Sequence, residues 1–314
     1  MIQSPTLADI YRPIQKDLID FKDDLKKHLS SEDPLLGEMG NYIIEISGKQ
    51  LRPALILLTA RMCGNKTDLP IRMAIAIELL HTATLIHDDI VDGSKFRRGR
   101  ETLNQRWGTD IALICGDYIY AKAFAALSNI ADARVNQMFS ECALRICEGE
   151  MKQIETRQTA ILTEETYLTM IYKKTAVLFE TACAAGGYAA GKSLPQIQKL
   201  AQYGKSFGLA YQIADDCLDL IGTAEVLGKE NGSDFEKSDP TLPMIYLMNE
   251  LNGDFPAKDF IKARDLAVER GAVARSLALA KKHAAQAVAS LADSPDSPCR
   301  KSLLDLIDFT LQRV

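Results

Sequence analysis

Between Pro70 and Pro195 the chain has no proline at all, although 11 occur in its 314 residues. Proline removes a donor and clashes with the preceding turn in a helix interior, so this interval is free to form long helices. Strict alternation of apolar and polar residues is also missing, and no segment predicts a strand. No basic stripe accompanies the net charge of −5, which argues against nucleic acid as a partner. Residues 1–20 lack the basic-then-apolar order of a secretory signal. No uninterrupted apolar run reaches membrane-spanning length. The seven cysteines, at 63, 115, 142, 147, 183, 217 and 299, include no Cys-x-x-Cys spacing. They read as reduced core residues of a cytoplasmic protein.

What is present is apolar residues at helical spacing. At 47% hydrophobic and 25% charged residues, the composition supports a large buried core. Ile10, Ile14, Leu18, Phe21 and Leu25 recur with a helical period and predict a helix over 6–30. Others are expected at 34–47, 70–92, 109–129, 132–158, 164–190, 195–221, 241–250, 257–268, 270–291 and 299–312. The longest irregular stretch is 222–243, and a long loop beside charged residues is usually functional. Together these features predict one all-α domain over 1–314, a helical bundle with its polar site at one end.

Two stretches carry the chemistry. The apolar run from Glu78 ends in Asp88, Asp89 and Asp92, and a second apolar run ends in Asp215, Asp216 and Asp219. On a helix the first and last aspartate of each set share one face, an unfavourable like-charge pair unless something binds there. A solvated acidic helix end would explain one such cluster; two point to a hard divalent cation held by oxygen ligands. Mg²⁺ suits one or two carboxylates completed by a substrate's phosphates.

Basic residues accompany both clusters. Lys49 and Arg52 stand where a helix begins, an unfavourable end for cations unless an anion is bound. Arg97, Arg98 and Arg100 follow the first cluster, Lys173-Lys174-Thr175 interrupts an apolar helix, and Lys229 follows the second cluster. This arrangement describes a site for one or two diphosphates. A di-iron centre would need two Glu-x-x-His motifs; only Glu78 and His81 provide one.

In these motifs the chain resembles the all-trans polyprenyl diphosphate synthases. The resemblance runs from Gly48 to Pro243 through Gly-Lys-x-x-Arg-Pro at 48–53, His81, Asp-Asp-x-x-Asp at 88–92 and Arg-Arg-Gly at 97–99. It continues through Lys-Thr at 174–175, Gln212, Asp-Asp-x-x-Asp at 215–219 and Gly-Lys at 228–229. It implies the isoprenoid-synthase bundle with an active site at one end of a central cavity. It also implies prenyl transfer between an allylic diphosphate (farnesyl or geranyl) and isopentenyl diphosphate. Asp88, Asp92 and Asp215, with Asp89, Asp216 and Asp219 around them, would bind Mg²⁺, three ions per site. Arg97, Lys174, Thr175, Gln212 and Lys229 would serve the allylic diphosphate, and Lys49, Arg52, His81 and Arg98 that of isopentenyl diphosphate. A homodimer is implied, without a transmembrane segment, its product delivered to a membrane for quinone side chains.

One departure from the family pattern stands out. Ser238 and Asp239 occupy the positions of the usual glycine and lysine, so one cation is lost and an anion gained, and Lys237 is a candidate substitute. Ala83 and Thr84, the fifth and fourth residues before Asp88, are small where short-chain enzymes often carry an aromatic residue. An open floor implies a long product, as in heptaprenyl to nonaprenyl enzymes; a farnesyl or geranylgeranyl diphosphate synthase is the alternative. A terpene cyclase would not need Lys49, Arg52, His81 and Arg98. A non-catalytic subunit of a heteromeric synthase would not be expected to keep both acid clusters intact.

Overall fold

The structure, a computed structural model, describes residues 5–157, 162–222, 232–251 and 259–313. α1 (Leu7–Tyr11) begins in a capping box between Thr6 and Asp9, and Arg12–Ile14 tightens into a 3-10 turn before α2 (Gln15–Leu29). The helix expected over 6–30 is thus interrupted, because Pro13 has no N–H to continue the ladder. α3 (Pro34–Glu45) and α4 (Leu51–Met62) lead into α5 (Leu69–Val91), which has a proline in its first turn.

From Met73 to Leu80 every residue of α5 is buried. A helix apolar all round belongs in the middle of a bundle, and α5 packs along α7 (Thr109–Ser128) and against α4. Between α5 and α7 lie the short α6 (Leu103–Trp107) and a hairpin in which Phe96–Arg97 pairs antiparallel with Arg100–Glu101. This two-stranded ribbon is an addition to the all-helical expectation. Its turn residues, Arg98 and Gly99, both have positive φ (53° and 74°), as a type I′ hairpin turn requires.

α8 (Ala133–Thr156) follows, its first turn capped by Asp132. The helix expected over 164–190 is divided into α9 (Glu164–Ile171), a five-residue π turn at Tyr172–Ala176 and α10 (Val177–Ala189). α11 (Leu194–Ile221) starts at the Ser193–Gln196 capping box and packs between α10 and a later helix, α15. The remaining helices are α12 (Ser233–Glu236), α13 (Leu242–Leu251), α14 (Phe260–Glu269), α15 (Ala272–Ser290) and α16 (Pro298–Leu311).

The described part is therefore all-α apart from that ribbon. Its main apolar core runs through α4, α5, α7, α10 and the first half of α11. A second core gathers α9, the acidic end of α11 and α13–α15, and Tyr172 and Leu311 pack against both.

By length and mean hydropathy, α5 and α7 are both sufficient to cross a membrane. Neither is an uninterrupted apolar run; isolated polar residues break each run without lowering the mean enough to fail that test. In the fold these two helices pack on each other. Every described cysteine is free; Cys63 is half-buried, Cys147 exposed and the rest buried.

Candidate active site

Both acid clusters lie at helix ends, Asp92 capping α5 and Asp219 in the last turn of α11. They open onto two adjoining cavities of 260 and 1130 Å³. Arg97, Gln212, Asp234 and Lys237 border both of them. Lys174 and Thr175 line the smaller one with Asp88, Asp92 and Asp216; Lys49, Arg52, His81 and Arg98 line the larger one with Asp89, Asp215 and Asp219. Lys174 and Thr175 therefore face one part of the site and Lys49, Arg52, His81 and Arg98 another, while Arg97 and Gln212 stand between the two. Lys229 lies outside the described residues, as do 223–231 of the loop.

The six aspartates divide by what holds them. Asp89 is buried and gripped by Arg97, with Nε and Nη2 at 2.8–3.0 Å from its oxygens. Asp216 is buried and accepts from Tyr167 Oη at 2.6 Å and from Gln212 Nε2 at 2.7 Å. Asp219 is buried too, and its Oδ2 accepts from the Asp234 backbone N–H at 3.1 Å. Asp88, Asp92 and Asp215 are the more open members. Lys174 Nζ stands 3.9 Å from Asp88, while pairing with Glu150 at 2.7 Å. Asp92 is bound by Arg157 at 2.7 Å and Lys237 at 2.9 Å. Asp215 meets Arg313 at 3.2 Å.

Electrostatics follow that division. Burial pushes the Asp88 carboxyl up to about 7, with Glu150 adding to the effect and Lys174 only partly offsetting it. Burial also raises Asp216. Burial opposes ionisation of Asp92 too, but the hydrogen bonds from Arg157 and Lys237 win and leave it below its ordinary value.

Among the described residues no three His, Cys, Asp or Glu side chains converge to ligate one ion in this conformation. The donor set nonetheless fits a hard divalent cation. It consists of carboxylate oxygens, and Asp88 is a largely shielded acid whose lysine partner, Lys174, stands 3.9 Å away.

The larger cavity gathers several cations on one side. Arg52 lies over the Phe179 ring at 4.6 Å and points Nη1 at His81 Nε2, 3.0 Å away. Arg52 can only donate, so His81 Nε2 accepts and the ring is neutral. Burial, then Arg52 and Arg98, hold His81 well below its ordinary pKa. Arg98, turned away from Arg97 by the hairpin, donates to the Ile46 carbonyl at 2.9 Å. Lys49 is lowered by burial and by the nearby Arg313 and Arg98.

The π turn explains Lys174 and Thr175. One extra residue per turn re-aims the side chains, a device found often at functional sites. Lys174 reaches Glu150 and Asp88, while Thr175 donates to Gln212 Oε1 at 2.8 Å. α8 approaches this turn at Gly149, where an added Cβ would sit 2.5 Å from the Lys174 backbone nitrogen. At the proposed floor, Ala83 has no exposed surface and Thr84 spends its hydroxyl on the His81 carbonyl at 2.8 Å.

Residues 33–270 match the polyprenyl synthetase family. The chain belongs to that family. It is 34% identical to octaprenyl diphosphate synthase of Escherichia coli over 91% of this chain and 93% of that one. The polyprenyl synthase of Caulobacter crescentus, solved with calcium and isoprenyl diphosphate, superposes with a TM-score of 0.92 at 32% identity, covering 99% of both chains. A decaprenyl diphosphate synthase from Rhodobacter capsulatus gives 0.91 at 33% identity, over 98% of this chain and 99% of that one.

Against this family background, sequence reasoning missed Glu150, Arg157, Tyr167 and Arg313. Each acts across the fold rather than within a motif. Arg157 is 65 positions from Asp92 and 82 from Asp239, so no local spacing reveals it. The candidate substitute Lys237 sits on Asp92 and donates to Ser94 Oγ at 3.2 Å.

Proposed function

We propose that this polyprenyl synthetase extends an allylic diphosphate by successive condensations with isopentenyl diphosphate, giving an all-trans product of thirty carbons or more. The observation that carries this reading is the division of one site into two cationic parts beside two acid clusters. A single-diphosphate enzyme such as a terpene cyclase has no use for the second part. The long-chain enzymes among its relatives, heptaprenyl, octaprenyl and solanesyl diphosphate synthases, favour a product of about thirty-five to forty-five carbons.

Asp88, Asp92 and Asp215 would hold Mg²⁺, three ions in the family's manner, with Asp89, Asp216 and Asp219 fixing the surroundings. Bound there, the ions supply positive charge that neutralises the allylic diphosphate and favours its departure. Lys174 stands beside Asp88 and stabilises the same growing negative charge, and Thr175 and Gln212 orient the group. Lys49, Arg52, Arg98 and neutral His81 hold the second diphosphate, so that the double bond of isopentenyl diphosphate faces the allylic carbon. That carbon loses its bond to oxygen and gains one to the terminal alkene carbon. The new cation then loses a proton to the released diphosphate, leaving a lengthened allylic diphosphate. No protein nucleophile takes part. Leu85, Met170 and Ile171, the apolar side chains lining the smaller cavity, would help keep water from the cation.

Ile111, Leu113 and Ile114 on α7, with Leu144 and Met151 on α8, are large apolar side chains exposed on neighbouring helices, and they support a homodimer through this side of the bundle. The same reading places the enzyme in the cytoplasm, passing an apolar product to a membrane.

The test is a product assay with Mg²⁺, farnesyl or geranyl diphosphate and labelled isopentenyl diphosphate. A ladder ending at about thirty-five to forty-five carbons is expected. A product of fifteen or twenty carbons would overturn the chain length and keep the chemistry. No incorporation would sink the catalytic reading.

A further inference from the structure

Arg157 follows α8 directly and joins three segments of the site. Its Nε donates to Asp239 Oδ1 at 2.7 Å, and Nη2 donates both to Asp239 Oδ2 at 3.1 Å and to Asp92 Oδ1 at 2.7 Å. The three side chains are 19%, 10% and 11% exposed, so the contacts are largely shielded from water. Lys237 completes the group by meeting the other oxygen of Asp92 at 2.9 Å. Two anions and two cations balance.

The geometry has a direction. Asp239 takes the side edge of the guanidinium through two parallel bonds, the arrangement that fixes an arginine's plane. Arg157 is thereby aimed at Asp92, whose carboxylate sits at the C-terminal cap of α5. That end of a helix dipole disfavours negative charge, so Asp92 depends on cations brought from elsewhere. Asp239 faces Arg157 rather than standing as a bare anion in the site.

We propose that Asp239 and Arg157 act as one positioning unit, in which Asp239 orients Arg157 and Arg157 holds the Asp92 carboxylate ready on the allylic-diphosphate side of the site. This rests on the prenyl-transfer reading above. The acid at 239 then serves the site through a cation at the end of α8. Removing either member of the unit leaves Asp92 to Lys237 alone, and removing both does little more.

The test uses Arg157→Ala, Asp239→Ala, the double variant and Asp239→Asn in the full chain, each checked by thermal melting. Binding of inorganic diphosphate in the presence of Mg²⁺ is measured by calorimetry, beside KM for each substrate. Each alanine variant is expected to weaken diphosphate binding by about tenfold and raise KM for the allylic substrate, leaving that for isopentenyl diphosphate unchanged. The double variant should match the singles, and Asp239→Asn, which keeps an acceptor, should recover part of the loss. Unchanged binding in Asp239→Ala, or losses that multiply in the double variant, would overturn the unit while wild-type turnover keeps the function. A wild type that neither turns over nor binds diphosphate would overturn both.

Discussion

Asp88 binds its proton far more tightly than an ordinary aspartic acid, at about 7 against 3.8, because burial outweighs the neighbouring lysine. The folded metal-free protein therefore holds a proton that the unfolded chain has released, and stability falls as pH rises between those values. Asp88→Asn is expected to stabilise the metal-free protein by about 1–3 kcal/mol at pH 8, with the gain shrinking as pH falls below 7. Thermal melts at several pH values check this. Mg²⁺ has to displace the same proton, so its apparent affinity should fall about tenfold per unit below pH 7 and level off above it; a flat profile would exclude Asp88 as a ligand. Ser238 offers a simpler case. At φ 59° it closes α12 in the left-handed region, where a side chain costs about 1–2 kcal/mol that glycine avoids. Ser238→Gly should gain about 0.5–1 kcal/mol once the added chain entropy is subtracted, read as a shift in a urea melt.

Among the elements, the π turn is the least legible and the most consequential. Lys173, Lys174 and Thr175 break the apolar face of the helix on the sequence, but nothing there says that the backbone itself gains a residue per turn. α8 and α11 both pack against this turn, and α8 lies close because residue 149 has no side chain. Gly149→Val should cost about 1–3 kcal/mol by overpacking, and it should raise KM for the allylic substrate by displacing Lys174. A melt that drops without any change in KM would show the turn to be independent of that contact. α5 poses a complementary question at Ala83. Ala83→Phe is expected to shorten the product to about twenty carbons or fewer, as the proposed floor requires. Because the position is fully enclosed, a melting control accompanies the product assay, and a stable variant with an unchanged product would exclude Ala83 as the floor.

Across the whole molecule, what could be read from the chain was whatever repeats locally. α5 and α11 announced themselves through long apolar runs closed by aspartates, and their ends fell within a residue or two of expectation. The two basic sets were recognisable through the family motifs, and only Lys49 and Arg52, cations at the start of a helix, stand out on physical grounds alone. The rest depends on contacts between distant segments. Arg52 needs the Phe179 ring, Asp216 needs Tyr167, and Asp239 needs Arg157; none of these pairings leaves a periodic trace. The hairpin at 96–101 was hidden for another reason. Two residues per strand are too few to alternate, and only the positive φ of Arg98 and Gly99 reveals the turn.

The burial of Asp89 and Asp216 bears on how variation in this protein should be scored. In a survey that reads only growth or turnover, loss of either would resemble loss of Asp88 or Asp215. The causes would differ. Asp216→Asn leaves Tyr167 and Gln212 with a weaker acceptor and should lower the amount of folded enzyme per cell, whereas Asp215→Asn should leave abundance intact and depress turnover per molecule. Scoring abundance and specific activity separately would sort the aspartates into these two kinds, and equal abundance for both variants would show that the buried member is not a structural residue.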